Sequence, residues 1–131
     1  KSTFARALMH ALGIDGPIKS PTYTLIETYM YGNALEAVHM DLYRITDPDE
    51  IDYLALDAFA DNLQIMLVEW PEKGDGHLPA ADIVIGFEHA GDARRIKLAS
   101  GSQRGRTWLN DVTSVESKPW LNGDDRAIIK T

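Results

Sequence analysis

The run Gln-Ile-Met-Leu-Val-Glu-Trp-Pro at residues 64–71 is the strongest architectural signal in this chain. Its first five residues are almost wholly apolar, a pattern typical of a strand buried on both faces of a parallel sheet. Glu69 follows directly, so it lies either at a buried functional edge or simply at the solvated end of the strand. Ligands of open α/β sheets bind at the carboxyl ends of the strands. The run therefore predicts an α/β fold and makes Glu69 the strongest single candidate for a chemical role.

The beginning of the chain predicts an amphipathic helix over residues 2–12, with apolar side chains recurring every four positions and Gly13 as the C-cap. Because this helix starts directly after Lys1, its first-turn amides and the positive end of its dipole are available to a phosphate. The alternative is an ordinary helix that packs one face on a core.

Lys1-Ser2-Thr3 and Glu69 together match parts of a nucleotide site. In a P-loop NTPase a lysine reaches the β- and γ-phosphates, the next Ser or Thr holds Mg²⁺, and an acidic residue at the end of a separate strand completes the metal site. The glycines of the Walker A motif, G-x-x-x-x-G-K-[ST], would precede Lys1. We therefore expect the chain to be part of a longer protein.

Two β-hairpins and a capped helix are predicted between these segments. Residues 25–29 and 37–43 have strand composition and flank a turn at Gly32-Asn33, and residues 82–88 and 95–99 flank a second turn at 90–92. Asp47-Pro48-Asp49-Glu50 has the pattern of a capping box, which begins a helix that runs to about Phe59. We expect a domain over residues 1–100 and a partly ordered extension over 101–131.

Asp41 is the second candidate carboxylate. Strand alternation places it on one face with His39 and Tyr43. That face is either the solvated side of a hairpin or a site where the carboxylate orients water or reaches Mg²⁺ through water. Thr22, beside Pro21, either belongs to an ordinary turn or forms part of a loop that senses a γ-phosphate.

Composition limits the other classes of function. The chain has 131 residues, 44% apolar residues, no run long enough to span a membrane and no cysteine, which suits the cytoplasm and excludes thiolate metal sites and disulfides. Its formal net charge of −7 argues against a surface that holds nucleic acid by itself, so a partner would bind any RNA. The four histidines lack metal-ligand spacing, and no nucleophile motif is present.

The order of these motifs resembles the bacterial TsaE family, also called YjeE, from Lys1 to about Ser100. The segments that carry the resemblance are Lys-Ser-Thr at 1–3, Ser-Pro-Thr-Tyr-Thr-Leu at 20–25, His-Met-Asp-Leu-Tyr-Arg at 39–44, Asp-Pro-Asp-Glu at 47–50, Leu-Val-Glu-Trp-Pro-Glu-Lys-Gly at 67–74 and Leu-Pro-Ala-Ala-Asp at 78–82.

The resemblance implies a P-loop NTPase-like three-layer fold with a mixed, mainly parallel sheet and added hairpins. It also implies an Mg²⁺-dependent ATPase needed for threonylcarbamoyladenosine (t6A) at position 37 of tRNAs that read ANN codons. Such a protein joins TsaB and TsaD and resets that complex by hydrolysing ATP, and it meets tRNA only through these partners. No membrane role is implied.

The resemblance also assigns roles to individual residues of this chain. Lys1, Ser2 and Thr3 would bind nucleotide, Ser2 and Glu69 would hold Mg²⁺, and Asp41 would position the hydrolytic water or the metal, so that Asp41 and Glu69 are the catalytic pair. Three further residues would border the nucleotide, namely Thr22, Trp70 and Arg94. Two alternatives stay open, a non-catalytic nucleotide-gated binding module and a small-molecule kinase on the same fold.

Overall fold

A computed structural model describes residues 1–31, 34–59, 65–113 and 127–131. Its regular elements are two helices and six strands, with short 3₁₀ helices in the connections. In chain order they are α1 (Ser2–Ala11), β1 (Ile26–Tyr31), β2 (Ala34–Asp41), β3 (Ile65–Glu69), β4 (Ile83–Ala90), β5 (Ala93–Ser100), α2 (Gln103–Thr113) and β6 (Ala127–Lys130).

The six strands form one mixed sheet in the order β1-β2-β3-β6-β4-β5. The four inner strands are parallel to one another, while the edge strands β1 and β5 are antiparallel to β2 and β4. Both predicted hairpins are therefore confirmed, although the turn at Gly32-Asn33 lies outside the described residues. The α/β architecture predicted from the sequence is also confirmed.

Strand β3 is the central element of the core. All five of its residues are buried, and it pairs in parallel with β2 on one side and β6 on the other. Ile65 and Leu67 face a cluster that includes α1, whereas Met66 and Val68 face a second cluster that includes the 3₁₀ helices. Each such apolar side chain contributes about 1.5–3 kcal/mol when fully buried. The apolar run thus forms the middle of three layers.

The segment after Asp47 differs from its prediction. The capping box is present, with the Asp47 carboxylate accepting from the Asp49 amide and Glu50 accepting from the Asp47 amide. The continuous helix is wrong, because the segment forms two 3₁₀ helices, Pro48–Leu54 and Leu56–Phe59. Ala55 separates them in the left-handed conformation, with φ 48°, which a continuing helix does not allow.

Two elements lie in residues 101–131, where the sequence pattern predicted none. Helix α2 packs against β5, and its first turn is capped by the Ser102 hydroxyl, which accepts from the Gly105 amide. Strand β6 is only four residues long but lies between β3 and β4 in the sheet. A smaller correction concerns α1, whose C-cap is Leu12, with Gly13 following at φ 87°. Among the described residues, no helix is long and apolar enough to cross a membrane.

Candidate functional site

Two buried carboxylates lie side by side at the carboxyl edge of the parallel strands. Asp41 and Glu69 are register partners at the ends of β2 and β3, and their exposed fractions are 4% and 1%. Paired residues on adjacent strands project to the same face of a sheet. The solvated alternative is therefore wrong for both residues. Burial of two like charges at one sheet edge favours a functional role.

Glu69 is held by hydrogen bonds to both of its oxygens. The Ser2 hydroxyl donates to Oε2 at 3.2 Å, and the His39 imidazole contacts Oε1 through Nε2 at 2.9 Å. Ser2 is the first residue of α1, so this contact joins the helix N-terminus to the sheet edge. No described side chain caps the first-turn amides of α1 or adds an acid there. These amides and the helix dipole therefore favour an anion.

Lys1 is exposed and lies over the indole of Trp70. Its Nζ is 4.1 Å from the ring centroid and donates to the main-chain oxygen of Thr131 at 3.2 Å. Trp70 has φ 58°, a left-handed conformation that costs a non-glycine residue about 1–3 kcal/mol, and its ring packs against Tyr43 with centroids 5.2 Å apart. The turn directly after Glu69 therefore places the Trp70 indole, with the Lys1 ammonium above it, beside the carboxyl edge of the strands.

Thr22 connects the preceding loop to Asp41. Its hydroxyl donates to Asp41 Oδ2 at 2.7 Å, while the Tyr43 amide donates to Oδ1 at 3.0 Å. The Ser20 hydroxyl lies 2.9 Å from the same Thr22 hydroxyl, so a short series of hydrogen bonds leads from the loop into the site. The Asp41 amide also donates to Leu25, which has φ 64°. The loop conformation and the second carboxylate are therefore physically coupled.

The donor set fits Mg²⁺ bound together with a phosphate, but not a metal held by protein alone. Within the described residues no group of three or more His, Asp or Glu side chains is arranged to hold an ion. Mg²⁺ takes oxygen ligands at about 2.0–2.1 Å, so adjacent ligands of an octahedron lie about 2.9 Å apart, and the ion keeps waters and substrate phosphates as further ligands. Ser2 Oγ and Glu69 Oε2, 3.2 Å apart, match such a pair.

Two predicted nucleotide residues lie outside this cluster of contacts. Thr3 is exposed on the first turn of α1. Arg94 is exposed near the tip of the β4–β5 hairpin, where its guanidinium donates to the Ala93 carbonyl. Arg94 is opposite His89 in the β4–β5 pair. His89 lies five residues beyond Val84, the last β4 residue that pairs with β6, and this separation is about 16 Å along an extended strand.

His39 is the member of the site that sequence reasoning missed. Its placement on the same face as Asp41 was predicted, but the histidines were considered only as metal ligands and were set aside for lack of the right spacing. The ring is fully buried and contacts Glu69 across the strand pair. The sequence did contain one indication that His39 belongs to the site, namely its position two residues before Asp41. The contact with Glu69 required the parallel register of β2 and β3.

Comparison with known proteins identifies close similarity to one family. The family model described as threonylcarbamoyl adenosine biosynthesis protein TsaE matches residues 1–96. The chain is 39% identical over 110 residues to the tRNA threonylcarbamoyladenosine biosynthesis protein TsaE of Haemophilus influenzae, which covers 84% of this chain and 69% of that protein. It is 37% identical over 95 residues to TsaE of Bacillus subtilis, covering 72% of this chain and 58% of that protein.

A solved structure shares the fold. The crystal structure of Bacillus subtilis YdiB matches with a TM-score of 0.67 and 26% sequence identity, covering 87% of this chain and 69% of YdiB.

Proposed function

This chain belongs to the TsaE family, and we propose that it is an Mg²⁺-dependent ATPase that supports t6A formation at position 37 of tRNAs reading ANN codons. The hydrogen bond between Ser2 and Glu69 is the observation that carries the proposal. It joins the residue after Lys1, at a helix N-terminus, to a buried acid at the end of a parallel strand. This is the relationship that a P-loop NTPase uses for Mg²⁺ and phosphate.

The residues divide into nucleotide and metal roles. Lys1 binds the β- and γ-phosphates with its ammonium, and the first-turn amides, including that of Thr3, add hydrogen-bond donors. Ser2 and Glu69 hold Mg²⁺, which when bound neutralises charge on the phosphate oxygens. Trp70 forms the wall beside the nucleotide. Arg94 borders it from the β4–β5 hairpin.

Asp41 would position the attacking water or the metal. Its Oδ2 accepts from Thr22 and its Oδ1 accepts from the Tyr43 amide, so both oxygens have fixed directions before substrate binds. Such preorganisation lowers the barrier because little reorientation remains at the moment of reaction. Hydrolysis transfers the γ-phosphoryl group to water and leaves ADP and inorganic phosphate. Because catalysis depends on positioning and charge stabilisation to which partner residues contribute, the isolated protein hydrolyses ATP slowly.

The proposed partners are TsaB and TsaD. In this scheme ATP hydrolysis resets their complex between turnovers, and tRNA is bound by the partners, which agrees with the net charge of −7 on this chain. We further propose that the protein acts in the cytoplasm. The ATPase domain comprises residues 1–100, and residues 101–131 form an extension.

The contact between Thr22 and Asp41 favours a second candidate function. A loop that is coupled to the site responds to nucleotide even when no hydrolysis occurs. In that case the protein is a nucleotide-gated docking module, whose ATP orders the loop around Thr22 for binding to a partner.

Glu69→Gln separates the two functions in a reconstituted t6A assay with TsaB and TsaD. The ATPase proposal predicts that the variant binds ATP but that t6A formation stops after about one turnover per complex. A docking module predicts continued turnover with bound ATP. Glu72→Gln, at an exposed glutamate three residues further along, is the matched control and should behave as the wild type.

A further inference from the structure

We propose that His39 is a positioning residue that orients the Glu69 carboxylate toward the metal–nucleotide complex. This inference rests on the proposed function, because it concerns the same site. The imidazole is completely buried beneath the site and its Nε2 lies 2.9 Å from Glu69 Oε1. It touches the carboxylate from the sheet side, whereas Ser2 approaches from the helix side.

The surroundings of the ring define where its proton lies. An ionised Glu69 has only acceptor oxygens, so the hydrogen bond requires a proton on Nε2 of His39. Among the described residues, Nδ1 has no hydrogen-bond partner and is buried. A proton on Nδ1 would therefore be an orphaned buried donor, which is unfavourable. Donation from Nε2 to Glu69 Oε1 is therefore the arrangement that fits these contacts.

This hydrogen bond makes the two oxygens of Glu69 inequivalent. The terminal torsion of a glutamate is broad and roughly two-fold, so a carboxylate without partners samples many orientations. With Oε1 engaged by His39, Oε2 is the oxygen directed at Ser2. The pair formed by Ser2 Oγ and Glu69 Oε2 is then set before metal and nucleotide arrive. Partners of this kind commonly change metal affinity 10- to 100-fold when removed.

The register explains why a residue two positions before Asp41 reaches Glu69. Asp41 pairs with Glu69 and His39 pairs with Leu67, so His39 is the diagonal neighbour of Glu69 on one face. Diagonal neighbours on a sheet face remain within reach of long side chains. The shorter asparagine side chain cannot span this diagonal, whereas glutamine extends further and supplies an amide donor.

A metal-binding measurement separates positioning from simple packing. Full-length protein loaded with ADP is titrated with Mn²⁺, and free ion is followed by electron paramagnetic resonance. We expect His39→Leu to weaken Mn²⁺ affinity at least 10-fold, and His39→Gln to stay within about 3-fold of the wild type. ADP affinity without metal should be unchanged in both. His89→Leu, at an exposed histidine of the β4–β5 hairpin, is the matched control.

Equal Mn²⁺ affinity in folded His39→Leu and wild type would overturn the inference. If the leucine variant does not fold, His39→Asn replaces it, with the same expected loss and the same contrary result. Nitrogen NMR of the labelled wild type gives an independent check, because hydrogen on Nδ1 rather than Nε2 contradicts the proposal. If the wild type itself binds neither ADP nor Mn²⁺ with ADP, the proposed function fails instead.

Discussion

Replacing Glu69 with glutamine is expected to stabilise the fold while it removes a proposed metal ligand. Asp41 and Glu69 are register partners and both are buried. Adjacent strands lie about 4.8 Å apart, and two like charges about 5 Å apart repel by about 3 kcal/mol at an effective dielectric constant of 20. Lys1 and the dipole of α1 offset part of this repulsion. We therefore expect Glu69→Gln to raise the free energy of unfolding by about 1–2 kcal/mol.

The geometry of the substitution supports this value. A glutamine oxygen accepts from His39 as Oε1 does now, and the new amide donates to the Ser2 oxygen, while the hydroxyl hydrogen of the half-buried Ser2 turns to solvent. For a chain of this length the gain corresponds to roughly 4–7 °C in melting temperature. Urea unfolding of the full-length protein in the presence of a chelator measures the free energy directly.

Addition of divalent cation and nucleotide provides the second half of this test. A ligand that binds only the folded state at 100 times its Kd stabilises by about 2.7 kcal/mol. Mg²⁺ with ADP should therefore stabilise the wild type further than Mg²⁺-free ADP, and this increment should be absent in Glu69→Gln. Glu72→Gln removes the same charge at an exposed position and controls for net charge. A glutamine variant less stable than the wild type in chelator would refute the electrostatic reasoning.

Three further changes test other parts of the fold. The hydrogen bond to Asp52 raises the pKa of His77. The stabilisation that this contact gives to the folded state is therefore complete below a pH of about 6.5 and is lost as the pH rises through the folded-state pKa. His77→Gln should abolish this pH dependence of the urea midpoint. Gly105→Ala places a Cβ against the Asp82 carbonyl and should destabilise by about 1–3 kcal/mol in urea unfolding. Leu67→Ala, in the fully buried centre of β3, should cost about 2–5 kcal/mol by the same measurement.

Each of these changes has a control or a contrary result. A pH profile of the urea midpoint that is the same in His77→Gln as in the wild type would contradict the stabilising contact with Asp52. Gly86→Ala meets neighbouring atoms only at 3.7 Å or more, so it should be milder than Gly105→Ala. Equal losses for the two glycine variants would contradict the close approach of α2 to the chain before β4. A loss below 1 kcal/mol for Leu67→Ala would contradict its central place in the core.

The sheet was predictable where the pattern of side chains was long and regular. The apolar run before Glu69 is buried on both faces because β3 has parallel neighbours on both sides. Both hairpins followed from their flanking strands and turn residues. The capping box at Asp47 was correct, but the break at Ala55 was not visible, since a left-handed alanine depends on packing rather than on local preference.

The site was predictable in composition but not in geometry. The sequence indicated Ser2, Asp41 and Glu69 as candidates, and it left open whether the two acids were solvated. Their burial and the contact with His39 depend on the register between β2 and β3, which residues about 30 positions apart do not reveal. Strand β6 was missed because four residues carry too little periodicity.

ATP hydrolysis by the full-length protein, with and without TsaB and TsaD, tests the central proposal most directly. We expect the partners to stimulate phosphate release, and Lys1→Ala and Glu69→Ala each to abolish it. Measurable ATP binding with no hydrolysis under either condition would contradict the ATPase proposal and favour the nucleotide-gated docking module.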